Sequence, residues 1–91
     1  MIGGVQGQGQ VSSSTSVIIP EQCLGARAML RMKREELATA AQVASATLFD
    51  FESGRRQPQP RTLAAIRTAL EQAGVEFTNG DAPGVRLRKS D

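Results

Sequence analysis

Arginine is the residue type whose placement in this sequence suggests chemistry. Between Ser53 and Leu70 stand Arg55, Arg56, Arg61 and Arg67, with no acid among them. A second basic run, Arg86, Arg88 and Lys89, follows near the end. The formal net charge is only +2, so the distribution is more informative than the total. Local positive potential attracts phosphate whatever the whole-chain balance. The alternative is a solvated basic surface, and the neighbouring elements decide between the two.

Catalysis has little to work with. The sequence contains no histidine, so the commonest general base and metal ligand is missing. A Ser-His-Asp or Cys-His arrangement cannot be assembled. No paired carboxylates, metal cluster or cofactor motif can be named, and an enzyme is not expected. Cys23 is the single cysteine, which excludes an intrachain disulfide and a cysteine-rich zinc site. It falls on an apolar helical stripe and is expected to be a small core residue. Gly4-Val5-Gln6-Gly7-Gln8-Gly9 lacks the preceding strand and following Gly-Lys-Ser/Thr of a phosphate loop. No apolar run approaches the roughly 20 residues that span a bilayer, and no secretory signal is expected. A free thiol suits a reducing cytoplasm.

The elements that must position the arginines follow from periodicity. Residues 1–19 are uncharged and rich in Gly, Gln and Ser, which predicts a flexible tail. Val17-Ile18-Ile19 is an apolar entry able to staple the first helix. Pro20 and Glu21 suit a first helical turn, and that helix should run to about Arg31. Cys23, Ala26, Arg27 and Leu30 share one face. An arginine there needs a partner, because a buried unpaired charge is costly. A second helix is expected over Arg34 to Ala41, with Leu37, Ala38 and Ala41 inward. A third is expected over Ser45 to Ser53, with Thr47, Leu48, Phe51 and Glu52 inward and Gly54 as its stop. The fourth should begin near Pro60, bury Leu63, Ile66, Ala69 and Leu70, and end at Gly74. The period then changes to two in Val75–Thr78 and Val85–Arg88, which predicts a β-hairpin. Its inward residues would be Val75, Phe77, Val85 and Leu87, or else it offers an edge to a second subunit.

Two short helices joined by a tight turn, followed by a glycine and a basic loop, form a helix-turn-helix pattern. Small residues at Ala38 and Ala41 let the helices approach, and Val43 and Leu48 plug the corner. The outer face of the third helix can then enter a major groove about 12 Å wide.

The pattern resembles the Cro/C1-type (XRE-like) helix-turn-helix family. Arg27, Glu35-Glu36-Leu37-Ala38, Val43, the run from Ala46 through Arg55, and Pro60-Arg61-Thr62-Leu63 carry the resemblance, which covers about Gln22 to Leu70. It implies a mainly α, four-helix, lambda-repressor-like domain over 20–74. A C-terminal hairpin and basic tail would occupy 75–91. Members are mostly bacterial or phage repressors and regulators that bind double-stranded operator DNA as homodimers. The resemblance implies that Arg27 pairs with Glu52, locking the recognition helix to the scaffold. It implies base contacts from Ser45, Ala46, Phe49 and Asp50. Arg34, Thr47, Arg55, Arg56, Gln57 and Arg61 would hold the flanking backbone.

The match has three departures. Lys33 and Ala44 stand where relatives usually carry a capping Ser, Thr or Asn, and Gln42 stands where a turn glycine is common. The reading face is also unusual. Phe49 can meet a thymine methyl or fold back onto helix four. Asp50 can accept from cytosine N4 or remain a solvated charge. A second function therefore competes with transcriptional regulation: an antiactivator- or antitoxin-like interaction module with a protein partner and little DNA affinity.

Overall fold

The computed structural model describes residues 18–79 and 82–88. The tail expected over residues 1–17, the hairpin's Gly80 and Asp81, and Lys89 lie outside them. In chain order the elements are α1 (Pro20–Leu30), α2 (Arg34–Ala41), α3 (Ser45–Glu52), α4 (Pro60–Ala73), β1 (Val75–Thr78) and β2 (Gly84–Leu87). The architecture is mainly helical, with a two-stranded antiparallel hairpin at its C-terminal side.

The helices start without side-chain caps of the usual kind. Ile19, Lys33, Ala44 and Gln59 hold extended N-cap conformations and none makes a side-chain cap hydrogen bond. Part of the deficit is met from the third helical position. The Ile19 backbone N–H donates to Gln22 Oε1 at 3.0 Å, and the Lys33 N–H donates to Glu36 Oε1 at 2.8 Å. This is the reciprocal half of a capping box. Prolines stand in the first turns of α1 and α4, where their missing N–H costs nothing.

Three successive helices end in the same way. Arg31, Gln42 and Gly54 have positive φ of 55°, 60° and 80°. Met32 N–H reaches back to the Arg27 carbonyl, Val43 N–H to Ala38 and Arg55 N–H to Asp50, each at 2.9 Å. The inner bond of each pair runs from Arg31 to Ala28, Gln42 to Thr39 and Gly54 to Phe51. These are Schellman motifs, which satisfy the last carbonyls and reverse the chain in two residues. The Gln42 stop is the turn of the helix-turn-helix unit, and the conformation there favours glycine.

The core gathers one face from every helix: Cys23 and Ala26 from α1, Leu37 from α2, Leu48 and Phe51 from α3, and Leu63, Ile66 and Leu70 from α4. Ile18 and Val75 close it at either end, each 1% exposed. The hairpin packs on α1 and α4. Gly25 permits the approach, since a Cβ there would sit 3.2 Å from Val85 Cγ1. Gln22, which periodicity did not place inside, is buried and pins the hairpin's mouth: Nε2 donates to the Thr78 and Gly84 carbonyls at 3.1 and 3.0 Å.

Two inward expectations need correction. Leu87 is 55% exposed although it lies opposite buried Val75. Alternation assigns residues to a face but does not say how far the helices beneath that face extend. Thr47 is half-buried rather than core.

A buried carboxylate joins the helices. Glu52, with a side chain 2% exposed, accepts from Arg27 Nε at 2.7 Å and Arg27 Nη2 at 2.9 Å. It also accepts from Arg34 Nε at 3.2 Å and Cys23 Sγ at 3.2 Å. Arg27 Nη1 donates in turn to the Met32 carbonyl at 3.0 Å, tying the network to the α1–α2 turn. Burial pushes the Glu52 carboxyl up. The hydrogen bonds from Arg27, Cys23 and Arg34 outweigh it and hold the group below the usual carboxylate range. Burial first, and then the Glu52 contact, push the Cys23 thiol up, so it remains protonated and donates.

The turn and the buried carboxylate each make a testable demand on stability. Gln42→Gly relieves the left-handed strain at the turn and, after glycine's own entropic cost, should stabilise by about 0.5–1 kcal/mol. The expected rise in Tm is about 2–8 °C in a thermal melt. Arg27→Ala leaves buried Glu52 with Arg34 as its remaining cationic partner and should destabilise by about 3 kcal/mol, the low end because Arg34 stays and Arg27 is 16% exposed; an unchanged melt would refute the structural role. Because the folded Glu52 is depressed, its contribution is present above the unfolded value of about 4.3 and is lost as pH falls through the folded one. Urea unfolding of wild type and Glu52→Gln should differ most near neutrality and converge as pH drops below about 4.

Candidate nucleic-acid interface

Helix α3 divides cleanly into an inner and an outer side. Leu48, Phe51 and Glu52 are buried. Ser45, Ala46 and Phe49 are exposed, and Thr47 and Asp50 are half-buried. The outer side is what a groove would meet. It has no Arg, Lys, Asn or Gln anywhere from Ser45 to Glu52.

Phe49 is the centre of a small cluster. Its ring is 41% exposed, so it does not fold back onto α4. The Arg34 guanidinium lies 5.0 Å from the ring centroid and that of Arg55 lies 6.0 Å away. Both are at cation–π distance. Arg34, from the first turn of α2, also keeps Nε on Glu52, with its side chain 37% exposed. One arginine thus touches the buried carboxylate and the exposed ring together. Leu24, 42% exposed on α1, shares a shallow pocket with Arg34, Phe49, Glu52 and Ser53. Sequence reasoning missed Leu24. Its signal was an apolar residue standing off the Cys23–Ala26–Leu30 stripe.

The loop after α3 is held at its start. The Asp50 carbonyl accepts from the Arg55 and Arg56 backbone N–H groups at 2.9 and 3.3 Å. Arg55, Arg56 and Gln57 then stand exposed. Arg61 is exposed in the first turn of α4 and lines a shallow groove with Ala41 and Gln42 of the α2–α3 turn.

Three further arginines are engaged within the fold, whereas Arg31 and Lys33 stand exposed around the α1–α2 turn. Arg67 Nε pairs with Glu71 at 2.9 Å, and its guanidinium lies 5.6 Å from the Phe77 ring. Arg86 pairs across the hairpin with Glu76 at 3.0 Å. Arg88 Nη2 donates to the Glu71 carbonyl at 3.3 Å. The run that looked uniform in sequence is therefore split: Arg55, Arg56 and Arg61 face outward, while Arg67 braces α4 against the hairpin.

Among the described residues no helix is long and apolar enough to cross a membrane. No group of three potential metal-ligating side chains occurs among them either. The chain has no match among curated proteins. A family model described as helix-turn-helix matches residues 26–74, more than half of the chain. That span begins within α1 at the Arg27 network, takes in α2, α3 and the basic loop, and ends where α4 stops at Gly74. With the fold, the turn geometry and this match in agreement, the chain belongs to the Cro/C1-type helix-turn-helix family of DNA-binding regulators.

Proposed function

We propose that the protein is a sequence-specific transcriptional regulator that binds operator DNA as a homodimer in the cytoplasm, with α3 in the major groove. The observation that carries this reading is the charge around that helix. Its outward face is exposed, and Arg34, Arg55, Arg56 and Arg61 surround it. Asp50 is the one acid in α3 besides buried Glu52. Exposed Glu35 and Glu36 stand beside Arg34 in the first turn of α2, so the attraction to phosphate rests on Arg55, Arg56 and Arg61.

The roles divide by position. Ser45, Ala46, Phe49 and Asp50 meet base edges. Arg34, Thr47, Arg55, Arg56, Gln57 and Arg61 hold the backbone on either side and set the register, since phosphate contacts position and base contacts specify. A symmetric dimer would read two half-sites about one helical turn apart. The hairpin is a candidate for that contact: each strand of a two-stranded sheet has an unpaired edge, and Leu87 is exposed beside one of them.

A second reading is an antiactivator- or antitoxin-like interaction module on the same fold. The exposed Leu24 and Phe49, sharing one pocket, favour it. Selection from pooled random duplexes across a salt series separates the two. Enrichment of a two-fold symmetric motif is expected. No retention even at low salt would move the function to a protein partner.

The same assay yields a residue-level prediction. Affinity should fall with salt at a slope of about −0.9 per phosphate neutralised. Arg56→Ala should weaken binding about equally across sequences and reduce that slope by about 1, with little change in thermal stability. An unchanged slope would remove Arg56 from the interface. Sedimentation at micromolar concentration should find a dimer, and a monomer would count against association through the hairpin.

A further inference from the structure

The outward face of α3 lacks the side chains that read bases by paired hydrogen bonds. Arg and Lys read guanine, and Asn and Gln read adenine; none occurs between Ser45 and Glu52. Ser45 and Ala46 are short. The large group presented to a groove is the Phe49 ring, 41% exposed.

That ring is held in place. Arg34 stands 5.0 Å from its centroid, and Arg34 is itself fixed by Nε on the buried Glu52 carboxylate. Arg55 approaches the ring at 6.0 Å, from a loop whose backbone is pinned to the Asp50 carbonyl. An exposed aromatic on a surface helix ordinarily samples several rotamers. Here the Arg34 guanidinium, itself held on Glu52, lies against the ring, which lowers the cost of ordering it on binding.

Among the groups that base pairs display in the major groove, the thymine 5-methyl is the apolar one. Resting on the DNA-binding reading above, we infer that Phe49 is the specificity-determining residue and that it packs against a pyrimidine 5-methyl group in each half-site. Recognition at that base is by an apolar contact, and the identity it selects is set by the methyl and not by the pairing edge.

The test uses the full chain and an operator recovered by selection. Each thymine is replaced symmetrically by uracil, which removes the methyl and leaves the pairing unchanged. One position per half-site should prove sensitive. Burial of one methyl corresponds to about fourfold in affinity, or about fifteenfold when both half-sites lose it. At that position 5-methylcytosine opposite guanine should bind more tightly than cytosine. Phe49→Ala should bind the thymine and uracil duplexes alike, and Phe49→Leu should retain part of the difference. The ring is exposed enough that both variants should fold, which a circular dichroism melt verifies. Specific binding with no uracil-sensitive position, or full sensitivity kept by Phe49→Ala, would overturn this inference and leave the regulator reading standing. Failure of the wild type to retain any duplex would overturn that reading and this one with it.

Discussion

Glu52 carries its charge at a position almost sealed from solvent. Removing a carboxylate from water costs several kcal/mol even after relaxation, and only good geometry with further hydrogen bonds offsets it. Here both carboxylate oxygens are occupied, by two arginines and a thiol. The donors come from α1 and α2, and the acceptor from the last turn of α3. One group therefore sets the relation of three helices. Cys23 contributes as a protonated donor, which its burial ensures. The network ends at the surface, where Arg34 passes from Glu52 to the Phe49 ring.

The turns show a related economy. A helix that must stop and reverse within two residues needs a left-handed backbone, and glycine takes that conformation without a Cβ penalty. The chain provides glycine after α3 and not after α1 or α2. Strain at Arg31 and Gln42 is accepted, and the double hydrogen bonds of the Schellman motif and the packing of Met32 and Val43 against the core hold it there. The weak N-caps are consistent with this. These helices are eight to fourteen residues long, and most helical stability at such lengths comes from a packed face rather than from the termini.

The arginines illustrate how one residue type divides between scaffold and surface. Arg27 is set against Glu52, Arg67 against Glu71 and Phe77, and Arg86 against Glu76. Surface pairs such as the last are worth little in stability. They do, however, place a carboxylate beside Arg67 and Arg86, whereas Arg55, Arg56 and Arg61 have no carboxylate partner among the described residues. Positive charge left unpaired in this way can orient an approaching polyanion.

The sequence by itself determined the element order. Helical periodicity, proline at two starts, glycine at two stops and the change to period two at Val75 are local signals, and local signals need only neighbouring residues to be read. The family resemblance also marked Gln42 as a position where a turn glycine is common, and the left-handed conformation there is a property of the turn. Tertiary structure decided what depends on distant neighbours. Gln22 is buried because the Thr78 and Gly84 carbonyls arrive beside it from the far end of the chain. Leu87 is exposed although Val75, opposite it on the ladder, is buried, because cover comes from the helices and not from the strand pattern. Arg55 and Arg67 look alike in sequence, yet one meets Phe49 and the other Glu71, since a charge's role is fixed by what the fold brings within a few ångströms of it.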